Sequence, residues 1–186
     1  SDAGMPCVSD PGASLVEFCI QNEITYDVLP GANAILTAYA MSGFSHTTFS
    51  FYGFLDHKGV SRASKLNDAL NDAKLAILYE SPHRLLKLLE EVSIKDANRT
   101  IFLAKEISKL HQNSYKDTAI NLFEKFKDIN IKGEWVVIIE PKETVGFNLD
   151  LDDILSLDIA PKIKAKLIAK MTGESIKDVY QKLLEN

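Results

Sequence analysis

What most constrains the fold of this 186-residue chain is a repeated switch between two hydrophobic periods. Runs of β-forming residues at Phe49 to Phe54, Leu75 to Tyr79, Thr100 to Ala104 and Glu134 to Glu140 alternate with stretches whose apolar residues recur every three or four positions. A shorter run, Thr25 to Leu29, also reads as a strand. Helices are predicted over Ala13 to Asn22, Ala32 to Ser42, Val60 to Asn71, Pro82 to about Glu91, and Tyr115 to Lys127. Ser81 stands at the N-cap of the fourth of these, with proline at its first turn. Strands that alternate with helices build an α/β domain with a largely parallel or mixed sheet.

Beyond Pro141 the character changes. Residues 142–150 read as a linker, and residues 151–186 as a small helical tail. Ala160 to Asn186 carries six lysines against three acids, a net +3 in a chain whose formal net charge is −5. One helix starts at Pro161, Gly173 turns the corner, and Ser175 caps a second, which together make a helix-turn-helix shape. An acidic chain is not a general nucleic-acid coat, because that affinity comes from many phosphate contacts; a local basic site remains compatible with it. No apolar run reaches the roughly 20 residues needed to cross a bilayer. The two cysteines, Cys7 and Cys19, have no metal-ligand spacing. A reducing cytoplasm is the expected setting, with no membrane and no metal.

Five constellations have the residue types that chemistry needs. The first is the opening S-D-A-G-M-P-C-V-S-D-P-G, a loop dense in turn formers that serves either as a turn and helix cap or as a ligand loop. The second is L-P-G-A-N-A at 29–34, a helix start that suits an anionic group or close packing of small residues. In the third, E-S-P-H-R, Arg84 lies in the first helical turn, where the helix dipole disfavours a cation. It therefore wants either a bound anion or Glu80 as a neighbour. The fourth is Lys105, Glu106 and Lys109, directly after a strand, where open α/β sheets tend to bind ligands. The fifth is basic: Lys58, Arg62 and Lys65, then Lys162, Lys164, Lys166 and Lys170 in the tail. Such faces are commonly just solvated.

Taken in order, the opening loop, L-P-G-A-N-A, F-Y-G-F-L with Lys58 and Arg62 following, E-S-P-H-R-L, A-K-E-I-S-K and K-G-E-W-V resemble one family. It is the bacterial S-adenosylmethionine-dependent methyltransferases of small-subunit ribosomal RNA, within the tetrapyrrole methylase superfamily. The resemblance implies part of an N-terminal cofactor-side α/β domain over residues 1–45, a complete C-terminal α/β domain over 46–141, and the helical tail. It implies S-adenosylmethionine as cofactor, and a cytidine 2′-hydroxyl in the decoding region of 16S RNA as acceptor. The substrate is expected within the small ribosomal subunit, and the enzyme as a homodimer.

By resemblance, Asp2, Ala3, Gly4, Met5, Pro6, Asp10, Pro11, Gly12, Pro30, Gly31 and Ala32 belong to the cofactor side. Glu80, Lys105 and Glu106 are the candidate catalytic residues. Lys58, Arg62, Arg84 and Lys109 would contact RNA. The pattern departs from the family at Met5, where threonine is usual, at Asp56, where proline is common, at Lys105, where arginine is usual, and at Gln112, where an acid is expected. The lysine at 105 implies a role that a point charge can fill. The family's first strand-and-helix units, with a glycine-rich cofactor loop, do not occur in this sequence, so the chain alone is expected to be inactive. A sister tetrapyrrole or diphthine methylase, and a non-catalytic nucleic-acid-binding module, are the competing readings.

Overall fold

The computed structural model describes residues 4–9, 12–142 and 150–184. Residues 1–143 form one compact unit and residues 144–186 a second.

The first unit runs α1 (Ala13–Gln21), α2 (Ala34–Ser42), β1 (Phe49–Phe54), α3 (Gly59–Asn71), β2 (Leu75–Glu80), α4 (Pro82–Lys95), β3 (Thr100–Lys105), β4 (Asn113–Thr118), α5 (Ala119–Phe126) and β5 (Trp135–Ile139). The five strands form one sheet in the order β1-β2-β5-β3-β4. The β1–β2 pair is parallel and the other three pairs are antiparallel, which makes the sheet mixed, as expected.

Successive side chains of a strand point to opposite faces, and both faces are covered here. Ala76, Leu78, Ile101, Leu103, Trp135, Val137 and Ile139 face one side, where they pack with Leu66, Leu85, Leu88, Leu89, Val92, Leu122 and Phe126 of α3, α4 and α5. Leu75, Ile77, Phe102, Ala104, Val136 and Ile138 face the other side, against Ile35 and Ala38 of α2. Two-sided burial explains why the central strands read as continuous apolar runs.

Two expectations are corrected. Tyr115 to Thr118 belongs to β4, and its helix begins only at Ala119, with the Thr118 hydroxyl accepting from the Asn121 amide at 3.4 Å. This edge strand is polar, and only Tyr115 and Thr118 along it are even half-buried, so it carries no apolar run to read. Thr25 to Leu29 is not a strand: no strand among the described residues pairs with it, and a strand exists only through its ladder.

In the second unit, α7 (Pro161–Thr172) ends at Gly173 in a left-handed cap, and α8 (Ile176–Leu184) follows. The Ser175 hydroxyl accepts from the Asp178 amide. A further helix, α6 (Leu151–Ser156), opens with a capping box between Asp150 and Asp153. Ile154, Ala165, Ile168, Ala169 and Val179 form its small core. No helix among the described residues is long and apolar enough to cross a membrane. The stretch read as a linker falls almost wholly on 143–149, outside the described residues.

Candidate functional site

The ends of β1, β2 and β3 and the starts of β4 and β5 lie along one edge of the sheet, as the registers require. Phe54, Glu80, Lys105, Asn113 and Trp135 therefore line up there, so the segments that carry the sequence motifs meet in space.

Glu80 closes β2 and turns its side chain toward α3 and α4, where it has no accessible surface. Its Oε1 accepts from the Ser81 amide at 2.8 Å and pairs with Arg84 Nε at 2.9 Å. Its Oε2 has no hydrogen-bond partner among the described residues, and Arg62 Nη1 stands 3.7 Å away. Burial pushes the Glu80 carboxyl above its usual range, against the Ser81 amide and the two arginines, which draw it down. Arg62 is itself buried and binds Glu91 through Nε at 3.0 Å and Nη2 at 2.8 Å.

Both arginines, and Lys65 beside them on α3, also hold backbone. Lys65 Nζ donates to the Phe54 carbonyl at 2.8 Å, Arg84 Nη1 to the Leu55 carbonyl at 2.9 Å, and Arg62 Nη1 to the Asp56 carbonyl at 3.1 Å. Three consecutive carbonyls leaving β1 are thus gripped by three side chains.

These contacts revise two expected roles. Arg62 was expected to clamp RNA phosphate, but it is an internal counter-ion at 2% exposure. Glu80 was expected to take a proton from a bound hydroxyl, but its carboxylate has no exposed surface. Arg84, left open between an anion site and a pair with Glu80, makes that pair. Its side chain is 15% exposed, so the cation wanted at the start of α4 is explained from within the chain.

A second lock joins the motif loops. The Glu106 amide donates to the Glu134 carbonyl at 2.9 Å, and the Glu134 amide returns a bond to Glu106 Oε1 at 2.8 Å. Lys109 Nζ bridges Glu106 Oε1 at 3.1 Å and Glu134 Oε2 at 2.9 Å. Gly133 makes this possible: at φ +115° it adopts a backbone that disfavours a side chain, and a Cβ there would lie 2.7 Å from Glu106 Cγ. The Glu134 amide and Lys109 hold the Glu106 carboxyl below its usual range; Glu134 and Glu106 hold the Lys109 ammonium above its own. Lys105 Nζ donates to the Asn130 carbonyl at 3.0 Å and stands 5.6 Å from the Trp135 ring centroid, a place where a point charge suffices. Lys58 is exposed at the start of α3.

At this edge lies a cavity of about 370 Å³, lined by Val8, Ser9 and Ala34 together with Phe54, Tyr79 to Pro82, Ile107 and Glu134 to Val136. That volume falls in the range of small-molecule sites, and the apolar lining with a few polar groups suits an amphipathic ligand. At the same edge, adjoining that cavity through the Glu106–Glu134 contacts, a polar cleft of about 570 Å³ is lined by Lys105, Glu106, His111, Asn113 and Lys132.

The expected cofactor side divides. Asp2, Ala3, Asp10 and Pro11 lie outside the described residues. Gly4 and Gly31 are pressed together: a Cβ on Gly31 would lie 2.5 Å from the Gly4 carbonyl carbon, and Met5 N donates to the Ala32 carbonyl at 2.8 Å. Their small size is used for backbone packing between the two loops. Gly4, Pro6 and Gly12 line a separate cavity with α1, while Met5 and Pro30 line neither that one nor the 370 Å³ cavity. No cluster of three metal-ligating side chains occurs among the described residues.

Sequence reasoning missed the aromatic group at this edge, where Tyr79 stands 5.1 Å from Phe51 and 5.5 Å from Phe54, centroid to centroid. The available signal was Gly53 set between aromatic residues, since an isolated glycine in a strand suggests a bulge.

Comparison with known proteins places this geometry. A family model for Tetrapyrrole (Corrin/Porphyrin) Methylases matches residues 1–122. The ribosomal RNA small subunit methyltransferase I of Campylobacter fetus is 45% identical over 99% of this chain and 68% of that protein. The protein of the same name from Helicobacter pylori is 42% identical over 100% of this chain and 67% of its own length. The chain thus spans about two thirds of these relatives. Among solved structures, the cobalt precorrin-4 methyltransferase CbiF superposes with a TM-score of 0.58 at 14% identity, over 74% of this chain and 61% of that one. A diphthine synthase does so with 0.58 at 11% identity, over 75% and 57%. At such identities these two speak for the fold alone. The matched family and the near-complete alignment at more than 40% identity establish that this chain belongs to the tetrapyrrole methylases, in the group of ribosomal RNA small subunit methyltransferase I.

Proposed function

We propose that the protein transfers a methyl group from S-adenosylmethionine to small-subunit ribosomal RNA, at the 2′-hydroxyl of a cytidine in the decoding region of 16S RNA. The observation that carries this reading is the convergence of E-S-P-H-R-L, A-K-E-I-S-K and K-G-E-W-V on one sheet edge beside the 370 Å³ cavity, in a chain whose relatives are named as methyltransferases of small-subunit ribosomal RNA. On the same reading, residues 1–45 are the remainder of the cofactor-side domain and 46–141 the second domain. The enzyme acts as a homodimer in the cytoplasm, on RNA within the small ribosomal subunit.

The cavity's size and its mixed lining, which includes Val8, Ser9, Ala34, Ser81, Glu134 and Trp135, fit an amphipathic cofactor. When bound there, S-adenosylmethionine supplies an electrophilic methyl group. The protein's main task is then alignment, because a near-attack geometry can remove about 7–11 kcal/mol of barrier. Of the three candidate catalytic groups, Glu106 has the reachable carboxylate. It lines the polar cleft that adjoins the cavity; its Oε1 is fixed by the Glu134 amide and Lys109, and Oε2 is the oxygen assigned to take the proton of a ribose hydroxyl that enters from that cleft. Because its pKa is held down, Glu106 stays ionised, as a base must, although a low pKa limits the drive of that transfer. Lys105, in the same cleft, and Lys109, bonded to Glu106, are the cations assigned to steady the developing alkoxide. Lys58 and Lys132 of the polar cleft are the groups left for phosphate, since Arg62 is committed inside.

The test is incubation with radiolabelled S-adenosylmethionine and small subunits from cells that lack the modification, using both the complete gene product and this 186-residue chain. Label on a cytidine 2′-oxygen is expected with the complete product. Label on a base, or none from either protein, would reject the assignment.

A further inference from the structure

In a regular strand, residues two apart share a face. Tyr52 faces α3 to α5: it packs on that core, and its hydroxyl donates to Asp72 at 2.9 Å. Phe54 should follow it. Instead, the register between β1 and β2 slips between Phe51 and Gly53, and Phe54 pairs with Tyr79. Gly53 takes up the extra residue at φ +62°, in the left-handed region that glycine enters freely. The slip moves Phe54 to the opposite face, beside Phe51 and Tyr79.

Hydrophobic burial does not explain this arrangement. Phe54 is turned away from a closed core and left 50% exposed at the mouth of the 370 Å³ cavity, and Phe51 is 36% exposed. The segment is also rigid. The Phe54 carbonyl is held by Lys65 and the Leu55 carbonyl by Arg84, whose guanidinium carbon stands 5.9 Å from the Phe54 ring centroid. An open aromatic face, fixed in place and flanked by a cation, is what single-stranded RNA uses when an unstacked base is received by protein.

We propose that the Gly53 bulge builds a stacking platform from Phe54, Tyr79 and Phe51, and that Phe54 receives the nucleobase of the nucleotide whose ribose is methylated. This rests on the RNA-methylating function proposed above and adds a substrate-positioning role to it. The platform turns the base out of its stack, which brings its ribose to the cavity.

The experiment uses single-stranded RNA oligonucleotides of the acceptor sequence with pyrrolo-cytosine at the acceptor position, because the fluorescence of this cytosine analogue falls when it stacks on an aromatic ring. The wild-type protein is expected to quench it, and to quench much less when the probe sits three nucleotides away. Phe54→Leu should abolish the quench and weaken RNA binding about 5- to 150-fold, the usual worth of one stacked base. Phe54→Tyr should keep both, and neither change should move the thermal midpoint by much, since the ring is half exposed. Quenching independent of probe position, or Phe54→Leu binding and quenching like wild type, would overturn the platform. So would loss of S-adenosylhomocysteine binding with RNA binding intact, which would give the ring to the cofactor. If the wild-type protein methylates small subunits while the platform fails, only the platform is lost; if it neither binds nor methylates RNA, the function proposed above falls as well.

Discussion

Replacing Arg62 with alanine separates an internal counter-ion from a phosphate clamp. The substitution removes the paired bonds to Glu91, the bond to the Asp56 carbonyl and one of two positive charges beside Glu80. Removing one partner of a buried ion pair costs about 3–5 kcal/mol, because the other charge is left without compensation. Glu91 is 26% exposed and recovers some hydration, so a value near the lower end, about 3 kcal/mol, is expected here. That is a large part of the roughly 5–15 kcal/mol that holds a typical domain. The pH dependence has a definite sign. A carboxyl whose folded pKa is raised contributes stability below the ordinary carboxylate range and loses it as the pH climbs through the raised value. Glu80 is such a group, and losing Arg62 raises it further. The penalty of Arg62→Ala should therefore be larger at pH 7.5 than at pH 5. Urea unfolding followed by Trp135 fluorescence at both pH values measures it. A surface arginine that binds phosphate would instead leave stability within about 0.5 kcal/mol and lower the salt slope of RNA binding by about one. That result would refute the buried network.

Three further outcomes are expected. Gly133→Ala should destabilise by about 1–3 kcal/mol from backbone strain and the Glu106 contact, and by less when Glu106 is already alanine, because only the strain then remains; a double-mutant cycle in urea checks it. The Tyr52 phenol is pushed up to about 12 by burial and by its bond to Asp72, so wild-type stability should fall relative to Tyr52→Phe as the pH rises from about 10 toward that value. Equal slopes for the two proteins between pH 9 and 11 would refute it. Leu85→Ala, at a fully buried position between α4 and the sheet, should cost about 2–5 kcal/mol by thermal or urea unfolding.

Legibility in the sequence followed burial. The runs at Leu75, Thr100 and Glu134 announced strands because both faces of β2, β3 and β5 are covered. Asn113–Thr118 did not, since an edge strand with one wet face needs no apolar run. The motif segments were legible as a set, and the topology brings them to one edge. The destination of each charge was not legible: that Arg62 meets Glu91 and Glu80, or that Lys109 sits between Glu106 and Glu134, depends on how α3 packs on α4 and how two loops cross. Nor did the spacing of F-Y-G-F reveal which face Phe54 would take, because one bulge reverses the answer.

The grip on the carbonyls of Phe54, Leu55 and Asp56 has a consequence for variation. Lys65, Arg84 and Arg62 hold atoms that all twenty residue types possess, so the shape of this turn is independent of the side chains that follow Phe54. Asp56 meets Arg62 through its carbonyl, so another residue there would be held by Arg62 in the same way. The path of the segment is thus set by the two helices behind it and not by its own letters.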